Sequence, residues 1–129
     1  MRISKKTRYG FKALLYLSLI FSEKRVASLK EISEKQDIPF DFLEKIISVT
    51  RKAGLVKAKK GIRGGYLLAR PPEKITMAEI VRVLEKSPLL TDCNECKKEK
   101  NCLAGKAWKK VQESLSKTLR SITLKNLIK

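Results

Sequence analysis

Between Ser28 and Ala69 the sequence places two short helices, a proline-marked turn between them, a glycine stop and a glycine-bearing hairpin. That order constrains the fold more than any other feature of the chain. Ser28 and Glu31 form an S-x-x-E capping box that predicts a helix running through Lys35, with Leu29 and Ile32 on one face. Pro39, after Asp37-Ile38, cannot continue that helix but can begin another. The next helix is expected over about Asp41–Ala53. Leu43, Ile46, Ile47 and Thr50 recur at helical spacing, Thr50 as a polar residue on the inward face, and Gly54 stands just past the end. Then apolar and basic residues alternate along Val56-Lys57-Ala58-Lys59. Gly61-Ile62-Arg63-Gly64-Gly65 supplies a turn, and Tyr66–Ala69 reads as a second strand. Two helices with a tight turn followed by a two-stranded hairpin describe a winged helix-turn-helix.

The flanking segments are helical. Arg8–Phe21 carries Phe11, Leu14, Leu15, Leu17 and Ile20 around more than half its circumference, which predicts a central, largely buried helix. Pro71-Pro72 closes the winged unit. Thr76 and Glu79 suggest a second capping box, for a fourth helix to about Lys86. Ser87–Cys102 shows no periodicity. From Leu103 the residues Ala104, Ala107, Trp108, Val111, Leu115, Leu119 and Ile122 recur every three or four positions, a long amphipathic helix with a narrow apolar stripe. A domain this small has little core left to cover such a stripe. A second copy of the chain is the expected cover, with packing on its own domain as the alternative. A last turn over Leu124–Ile128 closes the chain. The expected class is mainly α: residues 1–72 the winged unit, 73–102 a linker helix and cysteine-bearing loop, and 103–129 a dimerisation helix and C-terminal turn, in one compact domain.

Charge predicts a polyanionic partner, either nucleic acid or an acidic membrane surface. The 129 residues hold 30 Lys and Arg against 13 Asp and Glu, with no histidine, for a formal charge of +17. Residues 1–70 are +11 and residues 71–129 are +6, and the stretch Arg51–Arg70 has seven basic side chains without one acid. A surplus placed on a winged unit points to double-stranded DNA rather than a membrane. The apolar run Ala13–Phe21 is too short for a membrane span, no lipid-anchor signal is present, and three cysteines confined to one loop suit a reducing cytoplasm. An enzyme is disfavoured: there is no histidine, and no Ser or Cys has a base at recognisable spacing.

A recognition helix enters the major groove with its N-terminal end. That end offers Phe40, Asp41, Phe42, Glu44 and Lys45. A carboxylate at Glu44 can accept from the amino group of cytosine, and thereby discriminate between sites rather than add affinity; capping its own helix with Asp41 is the alternative role. Gly61, Gly64 and Gly65 let the wing backbone approach DNA, with Tyr66 beside them. Lys59, Lys60 and Arg63 neutralise phosphate or reach into the minor groove, flanked by Arg51, Lys52 and Lys57. Lys5 and Lys6 add phosphate contacts from the opening of the first helix.

Cys93-x2-Cys96-x5-Cys102 places three soft ligands within ten residues, a density that selects an iron–sulfur cluster, zinc or copper(I). A fourth ligand is usual, and Asp92, Glu95, Glu99, a partner-subunit residue or a small molecule are the available sources. Zinc in this loop, or three thiols holding no metal, would make the chain a DNA-binding protein with no cluster-sensing role.

Several segments together resemble the Rrf2 family of winged-helix regulators. They are Met1-Arg2-Ile3-Ser4 with Arg8-Tyr9, Ile38-Pro39 with Phe42-Leu43-Glu44, Arg51–Val56, Gly64–Pro72 and Ser121–Leu124. The likeness runs nearly the whole chain and lies with the family's cysteine-containing branch. It implies a homodimer joined by the helix at about 103–120 and an operator of two half-sites. It also implies an iron–sulfur cluster on Cys93, Cys96 and Cys102 that senses iron–sulfur status, redox or nitric oxide. The chain departs from the family pattern in the wing, where Ile62 and Arg63 replace a Pro and a Gly, and at Lys45, where glutamine is common. The first cysteine pair is more closely spaced than in the better-known members. Gly105 stands where one branch has a histidine ligand, and Arg8 where another has an acid.

Overall fold

A computed structural model of the chain describes residues 2–86 and 102–128. Among them the elements run α1 (Lys5–Phe21), α2 (Leu29–Gln36), α3 (Phe40–Lys52), β1 (Val56–Lys59), β2 (Gly65–Leu68), a 3-10 turn at Pro72–Lys74, α4 (Met77–Leu84), α5 (Leu103–Ser121) and α6 (Leu124–Leu127). The strands pair antiparallel in the register Val56↔Leu68 to Lys59↔Gly65. The expected winged helix-turn-helix with a long C-terminal helix is what forms.

Helix α1 is the hub, packing against α2, α3, β2, α4 and α6. Its Ala13, Leu14, Leu17 and Ile20 join Ile32, Leu43, Ile46, Leu55, Leu68, Ile80, Leu84 and Leu124 in one core. Each fully buried Leu or Ile contributes roughly 1.5–3 kcal/mol of transfer free energy. Gly10 lets α4 approach closely, since a Cβ there would lie 2.3 Å from Leu84 Cδ1. Thr50, the polar residue of the inward face, is fully buried; its hydroxyl donates to the Ile46 carbonyl at 2.8 Å and the Ile47 carbonyl at 3.1 Å. Burial therefore leaves no polar group of that side chain unmet.

Local signals place the helix ends with instructive exceptions. Helix α1 starts at Lys5 rather than Arg8, because Ser4 is extended and its hydroxyl accepts from the Thr7 N–H at 3.2 Å. Ser28 and Thr76 cap α2 and α4 through the N–H groups of Glu31 and Glu79, at 3.1 and 3.2 Å. Neither acid completes its box. Glu31 accepts from the Tyr16 hydroxyl and from Arg25, and Glu79 pairs with Arg70 at 2.7 Å. The full box occurs instead at Thr123 and Asn126, opening α6. Helix α4 ends at Leu84, two residues before the expected Lys86, where Glu85 turns extended. Helix α3 begins at Phe40 and ends at Lys52, and Gly54 past its end takes φ +80°, a left-handed conformation that favours glycine.

Candidate nucleic-acid interface

Helix α3 buries one face and presents the other. Leu43, Ile46, Ile47 and Thr50 point inward, while Asp41, Glu44, Lys45, Ser48, Arg51 and Lys52 are exposed. Phe40 and Phe42, large apolar groups at the N-terminal end, are exposed as well, and Phe42 meets the Tyr9 ring edge-on at 5.3 Å. This contact sets the first turns of α1 beside the start of α3. Lys5, exposed, and Lys6, half-buried, belong to those turns. Pro39 occupies the N-cap of α3, and no side chain caps it. Glu44 makes no hydrogen bond or ion pair among the described residues, so its carboxylate is free for an external donor.

The wing is a short, closed hairpin. Gly61 takes φ +116°, and the Gly64 N–H donates to the Gly61 carbonyl at 2.9 Å. A Cβ at Gly64 would lie 2.2 Å from the Lys59 carbonyl oxygen. One at Gly65 would lie 2.7 Å from that of Ala27. Glycine is required at both by close backbone approach. Lys59, Lys60, Ile62 and Arg63 are all exposed around this turn.

Tyr66 ties the parts together. Its N–H donates to the Ala27 carbonyl at 2.7 Å and its carbonyl accepts from the Ala27 N–H at 3.0 Å, a bridge from the wing to the segment preceding α2. The Arg51 guanidinium lies 5.9 Å from the Tyr66 ring centre, within cation–π range. Between them opens a cleft of about 440 Å³ lined by Leu29, Glu44, Ile47, Ser48, Arg51, Lys52 and Tyr66. Ser48 was not singled out by sequence, and Leu29 was read only as an apolar-face residue of α2. Ser48 lies one turn after Glu44 and one turn before Arg51, and that helical phase was the signal available.

Below this face, Tyr16 and Arg25 both donate to the Glu31 carboxylate, Arg25 at 2.9 Å, and Arg25 also meets Glu23 at 3.4 Å. The Tyr16 hydroxyl first, and Arg25 after it, hold the Glu31 carboxyl below its ordinary range, while the same carboxylate raises the Tyr16 hydroxyl.

Of the three cysteines, Cys93 and Cys96 lie outside the described residues. Cys102 is half-buried at the N-cap of α5, where its Sγ accepts from the Gly105 N–H at 3.3 Å. Helix α5 has no fully buried residue. Leu103, Trp108, Val111 and Leu115 of the anticipated stripe are all exposed. No helix among the described residues is long and apolar enough to cross a membrane.

Comparison with known proteins places this architecture. The Rrf2 family model, described as an iron-dependent transcriptional regulator, matches residues 3–129. The HTH-type transcriptional regulator IscR of Xenorhabdus nematophila is 36% identical over 132 residues, covering 100% of this chain and 80% of its own. Among solved structures, IscR of T. potens superposes with a TM-score of 0.83 at 39% identity, over 99% of this chain and 86% of that one. CymR, the global cysteine regulator of B. subtilis, also gives 0.83, at 32% identity over 99% of this chain and 96% of that one.

Proposed function

The chain belongs to the Rrf2 family of transcriptional regulators, and from that premise we propose that it is a homodimer that binds double-stranded DNA through α3 and the wing, gated by an iron–sulfur cluster on Cys93, Cys96 and Cys102. The observation that carries the DNA-binding part is the acid-free basic stretch Arg51–Arg70, which covers the C-terminal end of α3 and the whole wing. Phosphate neutralisation by Lys59, Lys60, Arg63, Arg51, Lys5 and Lys6 orients the chain. Phe40, Asp41, Phe42, Glu44 and Lys45 then face base edges in the major groove, and Gly61, Gly64, Gly65 and Tyr66 shape the wing.

The described part of the cysteine loop suits an anionic sulfur-held group. Cys102 caps α5, where the positive end of the helix dipole and the Gly105 N–H face its sulfur, and no acid occupies the first turn. When bound, a cluster supplies a centre whose ligation responds to iron supply, oxidants or nitric oxide. Because Cys102 is the residue immediately before α5, its position fixes where that helix begins. The exposed stripe of α5 is what a second copy would bury, so the start of α5 bears on how two recognition helices are spaced. The family description as iron-dependent supports this reading. The same three cysteines in one loop support a second reading, zinc held as a structural staple.

Anaerobic purification followed by a visible spectrum and iron, sulfide and zinc assays tests the gating. Brown protein with stoichiometric iron and sulfide, lost in Cys93→Ala, Cys96→Ala or Cys102→Ala, supports a cluster sensor; colourless zinc-bearing protein assigns the structural role. Neither metal after reconstitution removes both. For DNA, neutralisation of about six phosphates gives a log–log salt slope of roughly −5, and a slope near zero removes the electrostatic part.

A further inference from the structure

We propose that Ile62, at the tip of the wing, is an apolar wedge that enters the minor groove and reads the deformability of the base step beneath it. The inference rests on the DNA-binding reading above. Ile62 has a relative exposure of 106%, so its side chain is covered by nothing in its own chain. It stands inside the turn that the Gly64 N–H closes onto the Gly61 carbonyl, next to Gly61 at φ +116°. The glycine shoulders leave a narrow backbone that can approach a groove floor.

The charges on either side decide what the isoleucine meets. Lys60 and Arg63 flank it, and no acid occurs from Arg51 to Arg70. Two cations drawn to the phosphate walls of a groove leave the group between them facing sugars and base edges. A β-branched side chain has a stiff χ1, so inserting it costs little rotamer freedom. Apolar side chains of this kind unstack and kink duplex DNA, most readily at pyrimidine–purine steps. The wing is also braced close to its turn, because Tyr66, paired with Ala58, bonds reciprocally to Ala27.

The test uses duplexes enriched by the unaltered full chain from a random 30-base-pair pool, with bend followed by energy transfer between end labels. Ile62→Ser is expected to lose the pyrimidine–purine preference beneath the wing and to straighten the duplex. Its affinity should fall by roughly tenfold, the scale of one mismatched contact. The salt slope stays unchanged, since no charge is altered. Ile62→Phe keeps both bend and step preference. Retention of bend and step preference in Ile62→Ser overturns the inference. A salt slope altered by that substitution also overturns it, because the tip would then serve only to place its neighbouring cations. Failure of the unaltered protein to enrich any duplex overturns the DNA-binding reading and this inference together; enrichment with no effect of Ile62→Ser overturns this inference alone.

Discussion

The carboxylate of Glu85 accepts a hydrogen bond from the hydroxyl of Thr7, a residue 78 positions earlier and 3% exposed. The Ser4 hydroxyl donates to the same carboxylate at 3.2 Å and the Ser4 N–H at 3.4 Å. Helix α1 has no acid in its first turn, so the anion that complements its N-terminus arrives from the end of α4. Glu85→Ala removes the acceptor of a buried hydroxyl and is expected to cost about 1–3 kcal/mol. Thermal denaturation should register this as a fall in Tm of several degrees, and Glu85→Gln, which keeps an acceptor but not the charge, as a smaller one. An unchanged Tm in both would contradict the assignment.

The Tyr16–Glu31–Arg25 cluster gives the stability a pH dependence of known sign. The Glu31 carboxyl is held below its ordinary range by the Tyr16 hydroxyl, then by Arg25. A group lowered in the folded state contributes stability that is full above its unfolded value of about 4.3, and lost as pH falls through the folded value. Chemical denaturation between pH 6 and 3 should therefore show an acid loss of stability that is shallower in Glu31→Gln. Parallel curves for the two proteins would exclude the linkage.

Much of the architecture was legible from local pattern, and most of the failures turn on partners outside it. Ser28, Thr76, Gly54 and the Gly61–Gly65 turn marked their elements because capping and left-handed turns are decided within a few residues. The Ser4 cap of α1 is local and was passed over, but the anion beside it was missed since it lies in Glu85, beyond the reach of any local window. The two S-x-x-E boxes are half-formed for the same reason: Tyr16, Arg25 and Arg70 draw off the carboxylates of Glu31 and Glu79. At the candidate interface, exposure of Glu44, Lys45 and Arg51 followed from helical phase. The cleft at Ser48 and the Arg51–Tyr66 contact did not, because they depend on how the wing folds back over α3.

Gly64→Ala tests the closeness of the wing strands. Its Cβ would lie 2.2 Å from the Lys59 carbonyl oxygen and 2.8 Å from that of Gly61, both backbone atoms that cannot swing aside. The turn must open, and DNA affinity should fall about tenfold or more, while the helical circular dichroism stays near that of the unaltered protein. Equal affinity would show that the wing does not need its closed form.

Val111→Asp and Leu115→Asp probe the exposed face of α5. Both residues are exposed in the single chain, so neither change opens a cavity in the core. A charge in the middle of an apolar contact between two copies is expected to shift sedimentation from dimer to monomer at micromolar concentration, with α-helical content retained. Dimers that survive both changes would place the contact elsewhere.

The pair of backbone hydrogen bonds between Tyr66 and Ala27, with Arg51 lying against the Tyr66 ring, has a consequence for any DNA that the protein reads. Ala27 before α2 and Arg51 of α3 both meet Tyr66 of the wing, which limits how far the wing can shift from α3. A base pair inserted between the bases under α3 and those under the wing displaces the two by about 3.4 Å along the duplex axis. A hairpin braced at Tyr66 cannot stretch to follow, and the protein must release one reader to keep the other. Half-sites would then tolerate exchange of their letters far better than a change in their length.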